Sequence, residues 1–181
     1  MKKLILIGLL LPFWCYGQNA EFPTTFKLAK NNIIWQETYK TDLSFNDFAE
    51  AIELSEYFDN VKIKNDYLIC KLKPYKLDFR KYGYKWGQTA TFISNSYISG
   101  NVKFDYKEGN YRVSIKNINF NSEGDFFYSK PNTKYNTFEF LVLNKNNEFK
   151  IRKIYLRMYD MMNKDFNIKT TISYDKENAD W

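Results

Sequence analysis

YISGNVKFDYKEGNYRVSIKNINF, residues 97–120, reads as a β-hairpin around which the rest of the chain is arranged. In its first arm Ile98, Gly100, Val102, Phe104 and Tyr106 fall on one side. Tyr97, Ser99, Asn101, Lys103, Asp105 and Lys107 fall on the other, the alternation of a half-buried strand. The second arm sets Tyr111, Val113 and Ile115 against Arg112, Ser114 and Lys116. A tight turn at Glu108-Gly109, with Gly109 free to take positive φ, pairs Tyr106 with Tyr111, Phe104 with Val113 and Val102 with Ile115. That register puts both apolar sets on one face, and a slip of one residue would separate them. After Lys116 the phase moves to Ile118 and Phe120, which predicts a bulge or a strand end near Asn117.

Similar patterns flank the hairpin. Residues 60–64 and 67–73 form a second hairpin about Asn65-Asp66, pairing Ile63 with Leu68 and Val61 with Cys70. Pro74 ends that strand or marks an edge. Upstream, IIWQETYK (33–40) is a first strand with Ile33, Trp35 and Tyr39 on one face, interrupted by Glu37. Ser44 is placed as an N-cap with Asp47 at the third helical position. Phe45, Phe48, Ala49 and Ile52 then follow helical spacing toward Tyr57. Downstream, 121–137 is a polar loop and 138–143 a short strand or a turn of helix. A helix runs from about 148 to 166, given the usual boundary error. Asn146 or Asn147 caps it, and Ile151, Ile154, Tyr155, Met158 and Met162 form its core stripe. The expected organisation is a leader over 1–17, a loose lead-in over 18–31, a single α+β domain over 32–167, and a tail over 168–181 that begins as a strand-like remnant.

The chain has 181 residues, and its 15 Tyr and 16 Phe favour β structure. Its first 17 residues have the parts of a secretory signal. Lys2 and Lys3 give the charged start, 4–14 the apolar centre, and Cys15-Tyr16-Gly17 puts small residues at the cleavage positions. The apolar run is short for a membrane span. A lipidated Cys15 is the alternative, against which stand the bulky Phe13 and Trp14. Cleavage after Gly17 leaves a chain starting at Gln18 with Cys70 as its one thiol and no internal disulfide. Cys70 lies on the face of Leu68 and Leu72 and reads as a small buried hydrophobe. The destination is the periplasm or the cell surface.

One sheet with both helices on its apolar face makes an α+β two-layer sandwich of order β-α-β-β-β-β-α. This order resembles the secreted bacterial family called domain of unknown function four-four-six-eight, described as having a TATA-binding-protein-like fold. The resemblance is carried by NNIIWQETYKTDLSFNDFAEAI (31–52), NVKIKNDYLICKLK (60–73), GNVKFDYKEGNYRVSIKNINF (100–120) and EFLVLNKNNEFK (139–150) with the helix that follows. It implies an exported envelope protein of unknown biochemical role and brings no catalytic or binding residues. DNA binding is not carried over with the fold's name.

Catalytic equipment is sparse. The chain contains no histidine, which removes the commonest general base and most zinc sites. One mature cysteine makes no metal or redox cluster, and the 7 glycines form no phosphate-binding motif. Asp47, Glu50, Glu53 and Glu56 recur at helical intervals, as a solvated face does. A non-enzymatic chain without a cofactor or metal is therefore expected. Two surfaces remain as candidates for a ligand or partner. The first is the sheet's uncovered face, lined by Lys62, Lys64, Lys71, Lys73, Lys103, Arg112 and Lys116, with Tyr67 and Ile69 among them. It reads as a solvated face or as attraction to an anionic glycan or lipid headgroups. The second is the loop with Phe79, Arg80, Tyr82, Tyr84, Lys85 and Trp86. Its rings grip a sugar or an envelope protein, or else fold back to plug the end of the sheet. Nucleic acid does not suit an exported chain. The expected role is a binding or accessory module, with an envelope-polymer hydrolase and a structural or assembly protein as alternatives.

Overall fold

The computed structural model describes residues 23–122 and 136–172. The proposed signal, most of the polar loop after residue 121, and the tail from residue 173 lie outside the described residues.

The strands are β1 (Phe26–Ala29), β2 (Asn32–Lys40), β3 (Phe58–Ile63), β4 (Tyr67–Lys76), β5 (Ser96–Lys107) and β6 (Asn110–Ser122). They form one antiparallel sheet in the order β1-β2-β6-β5-β4-β3. The helices are α1 (Phe45–Leu54), α2 (Thr91–Ser94), α3 (Phe138–Val142) and α4 (Lys153–Thr170). The fold is an α+β two-layer sandwich. Its core holds Ile33 and Trp35 of β2, Leu68, Cys70 and Leu72 of β4, Val102 and Phe104 of β5, and Tyr111, Val113 and Ile115 of β6. Phe48 and Ile52 of α1 and Met158, Met161, Met162 and Phe166 of α4 lie against them.

The central hairpin has the predicted register: Tyr106 faces Tyr111, Phe104 faces Val113 and Val102 faces Ile115. Gly109 turns the chain at φ +78°. α1 begins as predicted, with Ser44 Oγ accepting from Asp47 N–H at 3.3 Å. Phe48 packs from α1 onto Tyr111 and Phe104, at ring distances of 4.7 and 5.8 Å.

Several expectations change. The lead-in is not all loose, because Phe26–Ala29 pairs with β2 and buries Phe26 among Phe138 and Tyr159. The long helix starts and ends later than predicted. Asn144 Oδ1 accepts from Asn146 and Glu148 N–H, and Leu143 bridges Phe149, so 143–149 is a turn. Ile151 thus precedes the helix, and Ile154, in its first turn, is exposed; the core stripe is Met158, Tyr159, Met161, Met162 and Phe166. At the far end Ile168 lies within the helix, exposed, instead of starting a strand-like remnant. The stretch 138–143 resolves into helix α3, capped by Thr137.

Three irregularities cluster in the sheet. Asn60 and Val61 together oppose Cys70, Lys73 and Pro74 oppose Ser99, and Asn117 and Ile118 oppose Gly100. Each is a two-against-one bulge, which bends its strand and raises the local twist. Asn60 and Asn117 take positive φ, 53° and 52°, a conformation that asparagine tolerates better than most residues. The second hairpin thus keeps the pair Ile63–Leu68, but the partner expected for Cys70, Val61, shares its place with Asn60. Pro74 does not end β4; it sits in the second bulge, where no ladder donor is required.

Gly100 marks where the bulges leave no room. A Cβ there would lie 3.1 Å from Ile115 Cγ2 and 3.3 Å from the Lys116 carbonyl oxygen. Gly100→Ala is expected to cost about 1–3 kcal/mol, the range for overpacking. Urea unfolding monitored by tryptophan fluorescence measures it, and an unchanged midpoint would mean the bulge opens freely.

Candidate functional site

The aromatic connection after β4 folds as two 3-10 turns, Phe79–Tyr82 and Trp86–Gln88. Two of its tyrosines reach α4. Tyr82 donates to Asp165 Oδ1 at 2.8 Å, and Tyr84 donates to Asp160 Oδ2 at 2.8 Å. Tyr75 of β4 donates to the other oxygen of Asp165. Lys169 completes the cluster, 2.9 Å from Asp165 Oδ1 and 4.1 Å above the Tyr75 ring. This ion pair is largely withdrawn from water, with side-chain exposures of 12% for Lys169 and 7% for Asp165.

Burial, reinforced by Asp165, pushes the Tyr75 and Tyr82 phenols well above their ordinary range. Burial and Asp160 push Tyr84 up to about 12. These phenols therefore stay protonated and act as donors. On the other flank of α4, Asn163 Oδ1 accepts from Thr25 Oγ1 at 2.7 Å and from Trp35 Nε1 at 2.9 Å. Tyr39 donates to Asn167 Oδ1. The cluster is a fastening between helix and sheet.

The loop therefore divides. Tyr82 and Tyr84 fold back and Phe79 is half-buried, whereas Trp86 (64% exposed), Arg80 and Lys85 point outward. Cys70 is buried, its thiol pushed up to about 12 chiefly by that burial, as suits an inert side chain.

The sheet's other face carries no helix among the described residues. Of its predicted cations, Lys103 and Arg112 both pair with Asp105. Burial alone would raise the Asp105 carboxyl, but the bonds from these two cations hold it below its usual value. Lys103 also lies 4.5 Å over the Tyr67 ring. Lys71 is different: it lines a groove of about 420 Å³ where the three bulges meet, with Asp59, Asn60, Leu72, Pro74, Ser99, Gly100, Asn101, Asn117 and Asn119. Sequence reasoning put Ser99 and Asn101 on this face and anticipated the bulge near Asn117, but missed the groove. Its signal was the local density of asparagine at the phase change. Among the described residues, no three or more His, Cys, Asp or Glu side chains gather to hold a metal.

Asp165→Ala would leave a buried ammonium and two phenols without their acceptor, and about 3–5 kcal/mol of stability should be lost. Trp86→Ala should stay within about 0.5 kcal/mol, as for an exposed side chain. Denaturant midpoints compare the two, and equal losses would contradict the division of the loop. The raised phenols also set a pH dependence. The neutral form is favoured by the folded state, so its contribution is complete below about pH 10, the unfolded tyrosine value, and falls as pH climbs through the folded values. Tyr82→Phe should make that alkaline decline shallower in denaturation curves recorded across the range.

No protein-family model matches the chain, and no curated protein matches it. Among solved structures it is similar to a DUF4468 family protein from Bacteroides ovatus. The TM-score is 0.49 at 10% identity, over 81% of this chain and 88% of that one. It is also similar to a TBP-like protein from Parabacteroides distasonis, with a TM-score of 0.44 at 12% identity, over 81% of this chain and 98% of that one. These two neighbours carry the same family and fold descriptions as the resemblance read from the sequence.

Proposed function

We propose that the chain is an exported, non-enzymatic binding module of the cell envelope whose ligand surface is the open face of the sheet. The export half rests on the charged start, apolar run and small residues ahead of Gln18. The binding half rests on one observation: among the described residues, the place where the sheet's hydrogen-bonded ladders are repeatedly interrupted is also a polar groove of about 420 Å³. Bulges of this kind re-aim side chains and are common beside functional sites. The buried titratable groups Tyr75, Tyr82, Asp165 and Lys169 are meanwhile committed to one another beneath α4. A polymer hydrolase asks for two carboxylates flanking the scissile bond, and Asp59 is the one carboxylate lining the groove. Trp86 with Arg80 and Lys85 is the part of the aromatic loop that remains for a protein partner.

Both halves are testable. Joined to alkaline phosphatase, which is active only outside the cytoplasm, the N-terminal 25 or so residues should yield activity, a leader of this kind being about 15–30 residues long. Activity no higher than that of a leaderless control, with the fusion protein present in the cells, would overturn export. The mature chain should co-sediment with purified envelopes. Ser99→Lys combined with Asn101→Lys should abolish this, and Trp86→Ala should not; the reverse pattern would move the ligand surface to the loop.

A further inference from the structure

We propose that the bulge-lined groove is a binding site for a neutral, hydroxyl-rich saccharide segment, an inference that rests on the open face being the ligand surface. The chemistry of the lining carries it. Asn60, Asn101, Asn117 and Asn119 each bring a carboxamide with donor hydrogens and an acceptor oxygen, and Ser99 brings a hydroxyl. Two of these are held in place: Asn60 Nδ2 donates to Asp59 Oδ1 at 2.9 Å, and Asn119 Nδ2 donates to the Asn117 carbonyl oxygen at 2.7 Å. Sugar hydroxyls both donate and accept, so one ring can satisfy neighbouring amides of either orientation.

Charge narrows the class further. Asp59 and Lys71 are the charged lining residues, of opposite sign and directly paired in the β3–β4 register. A polyanion would meet Asp59 and find one cation, because Lys103 and Arg112 already face Asp105. A polycation would meet Lys71. The expectation of an anionic glycan on this face is thus replaced by a neutral one. Pro74 is exposed at the rim and offers its ring to the C–H face of a sugar. The volume falls within the roughly 300–1,000 Å³ of small-molecule sites.

The test uses the mature chain, isotopically labelled, with backbone amide shifts followed by NMR. The probes are neutral hexasaccharides (α-glucan, β-glucan, mannan and chitin-type), an oligogalacturonate, and an uncharged Gly-Ser peptide. At least one neutral saccharide should move amides in 59–60, 71–74, 99–101 and 117–119, with Kd on the order of 1 mM or tighter. Asn101→Ala, at an exposed position, should keep the fold and weaken binding about fivefold or more, the loss of a hydrogen bond. Lys71→Met should change it little. Preferential binding of oligogalacturonate, lost in Lys71→Met, would overturn the neutral class and leave the open face as ligand surface. So would binding of the peptide alone at these residues. Shifts confined to the surroundings of Trp86 would overturn both this inference and the open-face reading. Silence from every probe at about 10 mM, ten times the expected Kd, would overturn the saccharide site.

Discussion

Helix α4 is held to the sheet by hydrogen-bond donors on the sheet and acceptors on the helix. Hydrophobic burial is non-directional, and the stripe of Met158, Met161, Met162 and Phe166 could slide or rotate against an apolar surface at small cost. The indole of Trp35 on Asn163, the phenol of Tyr39 on Asn167, and those of Tyr75 and Tyr82 on Asp165 remove that freedom. They come from β2 on one side and from β4 with its following turn on the other, so the helix is fastened across the width of the sheet. Lys169 balances the buried carboxylate within the helix itself. Withdrawing one member leaves the others desolvated and unpaired, which costs more than the bond itself contributes.

This arrangement explains which parts of the chain were legible in its residues. The hairpin of β5 and β6 was readable because a period of two, a glycine turn and a one-face apolar set agree. The start of α1 was readable because Ser44 and Asp47 act through local chemistry. The limits of α4 were not, because Ile151 and Ile154 satisfy helical spacing while the Asn144 side chain organises a competing turn. Nor were the tyrosine contacts: Tyr75 and Asp165 lie 90 residues apart, and no local pattern pairs them. The aromatic loop was left open between packed and exposed, and the structure divides it residue by residue. The candidate site was half visible. Its polar residues fell on the correct face, but a groove made where three bulges coincide depends on the stacking of four strands.

The two faces of the sheet use polar groups in opposite ways. Beneath the helices, polar side chains are consumed in fastening, and their environment keeps phenols protonated as donors. On the outer face, Asp105 gathers Lys103 and Arg112, which lowers the net positive field near the groove. The amides beyond it are left within a nearly neutral surround, with Asp59 and Lys71 of opposite sign as the charged residues of the groove.

Pro74 has a bearing on how the folded chain meets copies of itself. β3 ends its pairing with β4 at Leu72, apart from the bond from Lys73 N–H to the Tyr57 carbonyl, so among the described residues no strand pairs with the outer side of the last residues of β4. A rim of free N–H groups is a template on which another strand can assemble. Proline supplies no such group, and its bulge tilts the neighbouring donors out of line, while Lys73 and Lys76 add like charges that repel a second copy. The proline that lines the groove thus also makes this rim a poor seed for fibres, so one residue shapes the outer face and guards its edge.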